Sequence, residues 1–177
     1  MATREVLEGP FGAAIRRAAA DRAAIKDIVK NLPKEDRAML PDLGPTADAL
    51  VERVAHLAAM IDRLDGSIDP HLRAELDDRF AALDREPESP ERERRRVLLE
   101  RQRVTLDEML QHRAALVRQL ESAGLALGTL RLDLIKLRSS GLPSALNDVT
   151  SATQEARALS REIGAVLEAV AEVKGGR

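Results

Sequence analysis

The chain has 177 residues, 44% of them apolar and 33% charged, yet only 1% aromatic, with Phe11 and Phe80 as its rings. That balance excludes a thick globular core and fits long helices with thin apolar seams, as one domain or one domain with an extended arm. Lys+Arg 28 against Asp+Glu 30 leaves a formal charge of −2, so no net field draws the chain to nucleic acid or a membrane, and the absence of cysteine removes disulfides, thiolate metal ligands and cysteine nucleophiles.

Taken in chain order, "MATREVLEGP" reads as an N-terminal tail over 1–9 without the apolar core of a signal peptide. No apolar stretch approaches the roughly 20 residues of a membrane span. A soluble cytoplasmic protein is expected. Phe11, Ile15, Ala18, Ile25, Val29 and Leu32 then mark an amphipathic helix over about 10–31. "NLPKEDRAMLPDLGP" is a Pro-bounded connector with room for one helical turn at 34–39. Thr46 reads as an N-cap for a helix to about 64, with Leu50, Val54, Leu57, Ile61 and Leu64 along one face. "DGSIDP" breaks it. Leu72, Leu76, Phe80 and Leu83 place a shorter helix at 70–85, completing an N-terminal region over 10–88.

The second region, 89–174, opens with Ser89 as cap and Pro90 at the first helical position. Nothing then stops a helix until "SSGLP", so it runs over about 90–138, on the order of 70 Å at 1.5 Å per residue. Leu99, Leu106, Arg113, Leu120, Leu127 and Leu134 recur every seventh residue, and Gln102, Met109, Leu116, Ala123, Leu130 and Leu137 fill the second heptad position. "GTLRLDLIKLR", which alternates at a glance, stays in that register and is helix. After Pro143 a last helix, about 143–173, carries Val149, Ala152, Ala156, Leu159, Ile163, Val166, Val170 and Val173; residues 175–177 are a tail.

Folded back antiparallel, these two helices match in layers: Leu134/Val149, Leu130/Ala152, Leu127/Ala156, Ala123/Leu159, Leu120/Ile163, Leu116/Val166, Arg113/Val170 and Met109/Val173. Large meets small where alanine intrudes, which fills the layers evenly. The expected architecture is all-α, an elongated helical bundle with a long antiparallel coiled-coil-like hairpin. Arg113 is the polar intruder, reaching water or pairing with Glu168 or Glu172, or else selecting register or partner. Leu125, Leu132 and Ile135 lie off the seam and mark a second contact, with the N-terminal helices or with another subunit.

Catalytic constellations do not emerge. His56, His71 and His112 fall on separate helices without the i, i+4 pairing of helical zinc sites. Carboxylates such as Glu75, Asp77 and Asp78 sit among arginines at helical spacing, as on a solvated face. Ser139, Ser140 and Ser160 have no adjacent base. Gly124 and Gly128 form a GxxxG whose expected use is close helix crossing. The stretch 91–103, "ERERRRVLLERQR", looks like a basic region ahead of a zipper and would offer Arg92, Arg94, Arg95, Arg96, Arg101 and Arg103 to nucleic acid. Six arginines there meet three glutamates of the wrong sign for phosphate. Nucleic acid is therefore the alternative; no enzyme activity, cofactor, metal or small-molecule substrate is expected.

The blocks "GPFGAAIRRAAADRAAIKDIV", "DALVERVAHLA", "LLERQRVTLDEM", "LESAGLALGTLRLDLIKLRSSG" and "DVTSATQEARALSREI" resemble the helical region that follows the catalytic domain in a group of bacterial serine/threonine protein kinases. The likeness runs from about Gly9 to Val173 and is most specific in "LRLDLIKLRSSG" and "SATQEARALSREI". The kinase glycine-rich loop, strand lysine, HRD-type loop and DFG site are all missing, so no catalytic residue carries over. What the resemblance implies is a regulatory, oligomerising or docking module for kinase signalling, acting on a protein partner or on itself, either as a stand-alone product or as a piece of a longer one.

Overall fold

Where the sequence places apolar seams, the backbone is helical. The computed structural model describes residues 4–140 and 143–175, with side chains described over 6–140 and 143–168. The helices are α1 (Arg4–Glu8), α2 (Gly12–Asn31), α3 (Lys34–Met39), α4 (Leu43–Asp65), α5 (Leu72–Asp84), α6 (Pro90–Ser140) and α7 (Pro143–Gly175). No strand occurs among the described residues, and the fold is all-α.

The helix ends show local chemistry at work. Residues 4–8, expected within a tail, form α1 because Val6 is buried and Arg16 donates from Nη1 to the Leu7 carbonyl at 2.8 Å. Gly12 makes that turn feasible: a Cβ there would lie 1.9 Å from the Leu7 carbonyl oxygen. Arg37 donates from Nη2 to the Lys30 and Leu32 carbonyls at 2.6 and 3.0 Å, satisfying the C-terminus of α2 from α3. Thr46 is not an N-cap. Helix α4 starts at Leu43, with Pro45 in its first turn, where a missing N–H costs nothing. Thr46 is buried, donates to the Asp42 carbonyl at 3.3 Å and accepts from Arg157 Nε at 3.1 Å. Arg157 Nη2 adds a bond to the Asp42 carbonyl at 2.8 Å, so α7 secures the start of α4. At α6, Ser89 Oγ accepts from the Arg92 N–H at 3.1 Å, as its sequence anticipates.

The chain divides into two compact units: Met1–Ala59 with Val117–Arg177, and Met60–Leu116. In the first, α2 buries Ile15, Ala18, Ile25 and Ile28, and α4 buries Leu50, Val54 and Leu57. Helix α6 contributes Leu120, Ala123, Leu127, Leu130, Leu134 and Leu137, stepping by 3 and 4. Each such leucine is worth about 1.5–3 kcal/mol of burial. Helix α7 buries Ala145, Val149, Ala152, Ala156 and Ile163, and Lys136 Nζ on α6 meets Asp148 Oδ2 on α7 at 2.7 Å.

On α7 the buried strip is wider than the heptad pattern suggests. Leu159 and Val166 are half-buried, while Thr153 and Ser160 are buried. The cause is the additional neighbour α4, whose Arg53 covers Gly164 and whose first turn holds Arg157. Thr153 tolerates burial by donating to its own helix, to the Val149 carbonyl at 2.6 Å. The side chains of Val170 and Val173 lie outside the described residues.

In the second unit, Ile61, Leu76, Leu83, Leu106 and Leu116 are buried. The α6 seam is only partly covered here: Leu99 and Met109 are half-buried and Gln102 is exposed, because α5 spans just 13 residues against a much longer partner. Polar links hold α5 and its C-terminal flank to α6. Arg92 Nε donates to the Leu83 carbonyl at 2.9 Å, Arg95 Nη1 to Glu86 Oε1 at 3.1 Å, and Arg73 pairs with Asp107 at 3.3 Å. The Arg103 guanidinium lies 5.2 Å from the Phe80 ring centre, within cation–π range.

Candidate functional site

Small and apolar residues on α2 and α6 of the first unit leave an open groove of about 510 Å³. Ala14, Arg17 and Ala18 line it from α2, Val54 from α4, and Leu120, Glu121, Gly124, Leu125, Gly128, Thr129 and Leu132 from α6. Ala18, Val54 and Leu120 are buried, whereas Leu125 is 72% and Leu132 59% exposed. Arg17 and Glu121 are both exposed, and neither has an ion-pair partner among the described residues. On the same two helices, Arg131 Nη1 meets the buried Asp21 carboxylate at 2.9 Å, tying α6 to α2. Arg131 Nε is also buried and has no partner among the described residues.

The groove overturns the expectation that Gly124 and Gly128 serve a close helix crossing. A Cβ built at either position meets nothing within 4 Å, so among the described residues no neighbouring element approaches them. The residues expected to make a second contact are likewise uncovered. Leu125 and Leu132 belong to the groove, and Ile135 is 36% exposed and lies outside it. The walls contributed by Ala14, Arg17 and Ala18 escape sequence reasoning, since their pairing with α6 depends on how α2 lies across it.

Arg113, expected to reach water or to pair with Glu168 or Glu172, or else to select register or partner, is partly exposed and engages Asp65 at the end of α4; the side chains of Val170 and Glu172 lie outside the described residues. Arg113 Nη2 donates to Asp65 Oδ2 at 2.9 Å and its Nε to Oδ1. That hydrogen-bonded carboxylate raises the Arg113 pKa above its ordinary value.

A second apolar surface lies on the N-terminal half of α6. Val97, Leu98 and Val104 are 55%, 60% and 56% exposed. Leu98 lines open grooves of about 370 and 500 Å³ against α5, with Arg79 and Gln102 shared between them. The arginines of that segment largely face acids: Arg92 meets Asp84, Arg94 Glu91, Arg95 Glu86 and Arg96 Glu100. The charge available for phosphate is reduced accordingly.

His56, His71 and His112 are exposed. Among the described residues no group of three or more His, Cys, Asp or Glu side chains is placed to hold a metal, and no helix is long and apolar enough to cross a membrane. Two carboxylates have displaced pKa values. Arg22, by hydrogen bonding, and Lys26 hold Asp48 below the usual carboxylate range. Burial, followed by repulsion from Asp148 and Glu155, lifts Asp133 above it, with Lys136 opposing. Compared with models of known protein families, with curated proteins and with solved structures, the chain finds no match.

Proposed function

We propose that this chain is a non-catalytic helical interaction module with a regulatory role in bacterial serine/threonine kinase signalling. The observation that carries the interaction role is the exposure of large apolar side chains beside open grooves, Leu125 and Leu132 in one unit and Val97 and Leu98 in the other. Apolar surface gathered this way on helices whose opposite faces are already buried fits a protein partner. The kinase connection rests on the resemblance of the blocks quoted above. Within the module, α6 and α7 act as an antiparallel coiled-coil-like hairpin; the buried α6 leucines, Val149, Ala156 and Ile163, and the Lys136–Asp148 pair support that reading. Pairing of most arginines in 91–103 with acids speaks for protein contact over nucleic acid. Affinity capture from the native cell with the full chain tests the proposal. Recovery of a serine/threonine kinase or its substrate by the wild type, lost in Leu125→Asp/Leu132→Asp and in Val97→Asp/Leu98→Asp, is expected from one surface or the other. Capture of no such protein overturns the kinase assignment.

A further inference from the structure

We infer that the α2/α6 groove is a self-association site whose occupant is a second copy of this chain, related by a two-fold axis. The inference rests on reading the chain as an interaction module and names one partner for it.

A two-fold interface uses the same patch on both copies, so that patch must carry both halves of every contact. This one does. Leu125 and Leu132, seven residues apart and thus on one edge of α6, project beside a recess whose wall is Gly124 and Gly128. The protruding leucines of one copy fit the recess of the other, and the exchange is mutual. The glycines weaken the interior of α6 relative to alanine. Among the described residues nothing occupies the space they leave, and a docking helix would.

Charge points the same way. Arg17 on the α2 wall and Glu121 on the α6 wall are exposed, opposite in sign and unpaired among the described residues. Two-fold symmetry brings Arg17 of each copy to Glu121 of the other, making two equivalent ion pairs around an apolar centre. A partner of uniform charge would satisfy only one of these walls and oppose the other.

The test is the mass of the purified full chain in solution, by light scattering and sedimentation over about 1–100 µM, a range that brackets micromolar dissociation constants. The wild type should run at twice 19.4 kDa. Arg17→Glu and Glu121→Arg should each weaken the dimer at least tenfold, and the double swap should restore it. Gly128→Leu, which fills open space in the monomer, should abolish it with helicity unchanged. A wild type that stays monomeric across the range overturns the inference, as does a dimer insensitive to both charge reversals. Recovery of a different protein by Leu125-dependent capture, with a monomeric wild type, overturns self-association while leaving the proposed function standing.

Discussion

Arg113 and Asp65, separated by 48 positions, face each other with two parallel hydrogen bonds between guanidinium and carboxylate. Both side chains remain about one third exposed, at 37% and 35%, so water screens the pair and its worth is that of a well-formed surface bridge. Asp65→Asn should cost about 1 kcal/mol or less, and Arg113→Lys somewhat less again, since an ammonium loses the fork but keeps the charge. A double-mutant cycle read by urea unfolding checks this; coupling indistinguishable from zero would refute it.

Neighbouring leucines on α6 should respond in opposite ways to truncation. Leu127 is fully buried and Leu125 is 72% exposed. Leu127→Ala leaves a cavity and should cost about 2–5 kcal/mol, whereas Leu125→Ala should stay within about 0.5 kcal/mol in the monomer. Denaturant midpoints at dilute protein concentration compare them directly.

How much of this was legible follows from the range of the interactions involved. The heptad leucines of α6 and the Ser89–Pro90 start are local, and periodicity or capping chemistry reveals them. Thr46 falls inside a helix that already begins at Leu43, and its hydroxyl and the Arg113 guanidinium take partners, Arg157 and Asp65, that lie 111 and 48 positions away, beyond the reach of any local pattern. Gly124 and Gly128 form a pattern with two opposite uses, a tight crossing or a vacant recess, and only the placement of α2 separates them. The surplus of buried polar residues on α7, Thr153 and Ser160, likewise depends on a neighbour that no seven-residue repeat announces.

Glycine substitutions provide a sharp contrast. Gly12→Ala drives a methyl group into the Leu7 carbonyl and should release α1, destabilising the fold by about 1–3 kcal/mol. Gly124→Ala meets nothing and should stabilise α6 by about 0.5–1 kcal/mol. Thermal melts by circular dichroism, with proteolysis of the first residues as a second readout, distinguish the two.

Two carboxylates should give pH dependences of opposite sign. The folded pKa of Asp48 is depressed below 3.8, so its stabilisation is present above that value and is lost as pH falls through the lowered one. Asp48→Asn should therefore flatten the acid limb of the stability curve. The folded pKa of Asp133 is raised above 3.8, so its charge opposes folding once the pH exceeds that raised value. Asp133→Asn should raise the melting temperature at about pH 7 and have no effect at about pH 3. Melting curves across this range would contradict the assignment if both variants moved in the same direction.

The clasp from Arg157 onto Thr46 and Asp42 also sets an order of events during synthesis. A ribosome releases residues 60–116 as one continuous stretch, and their contacts can form as they emerge. Helices α2 and α4 can meet each other early, but the rest of their apolar cover waits until residues 117 onward, in α6 and α7, have been made. That interval is when the nascent polypeptide is most exposed to proteases and to sticking, so premature stop codons beyond α6 should be punished as severely as lesions in the core itself.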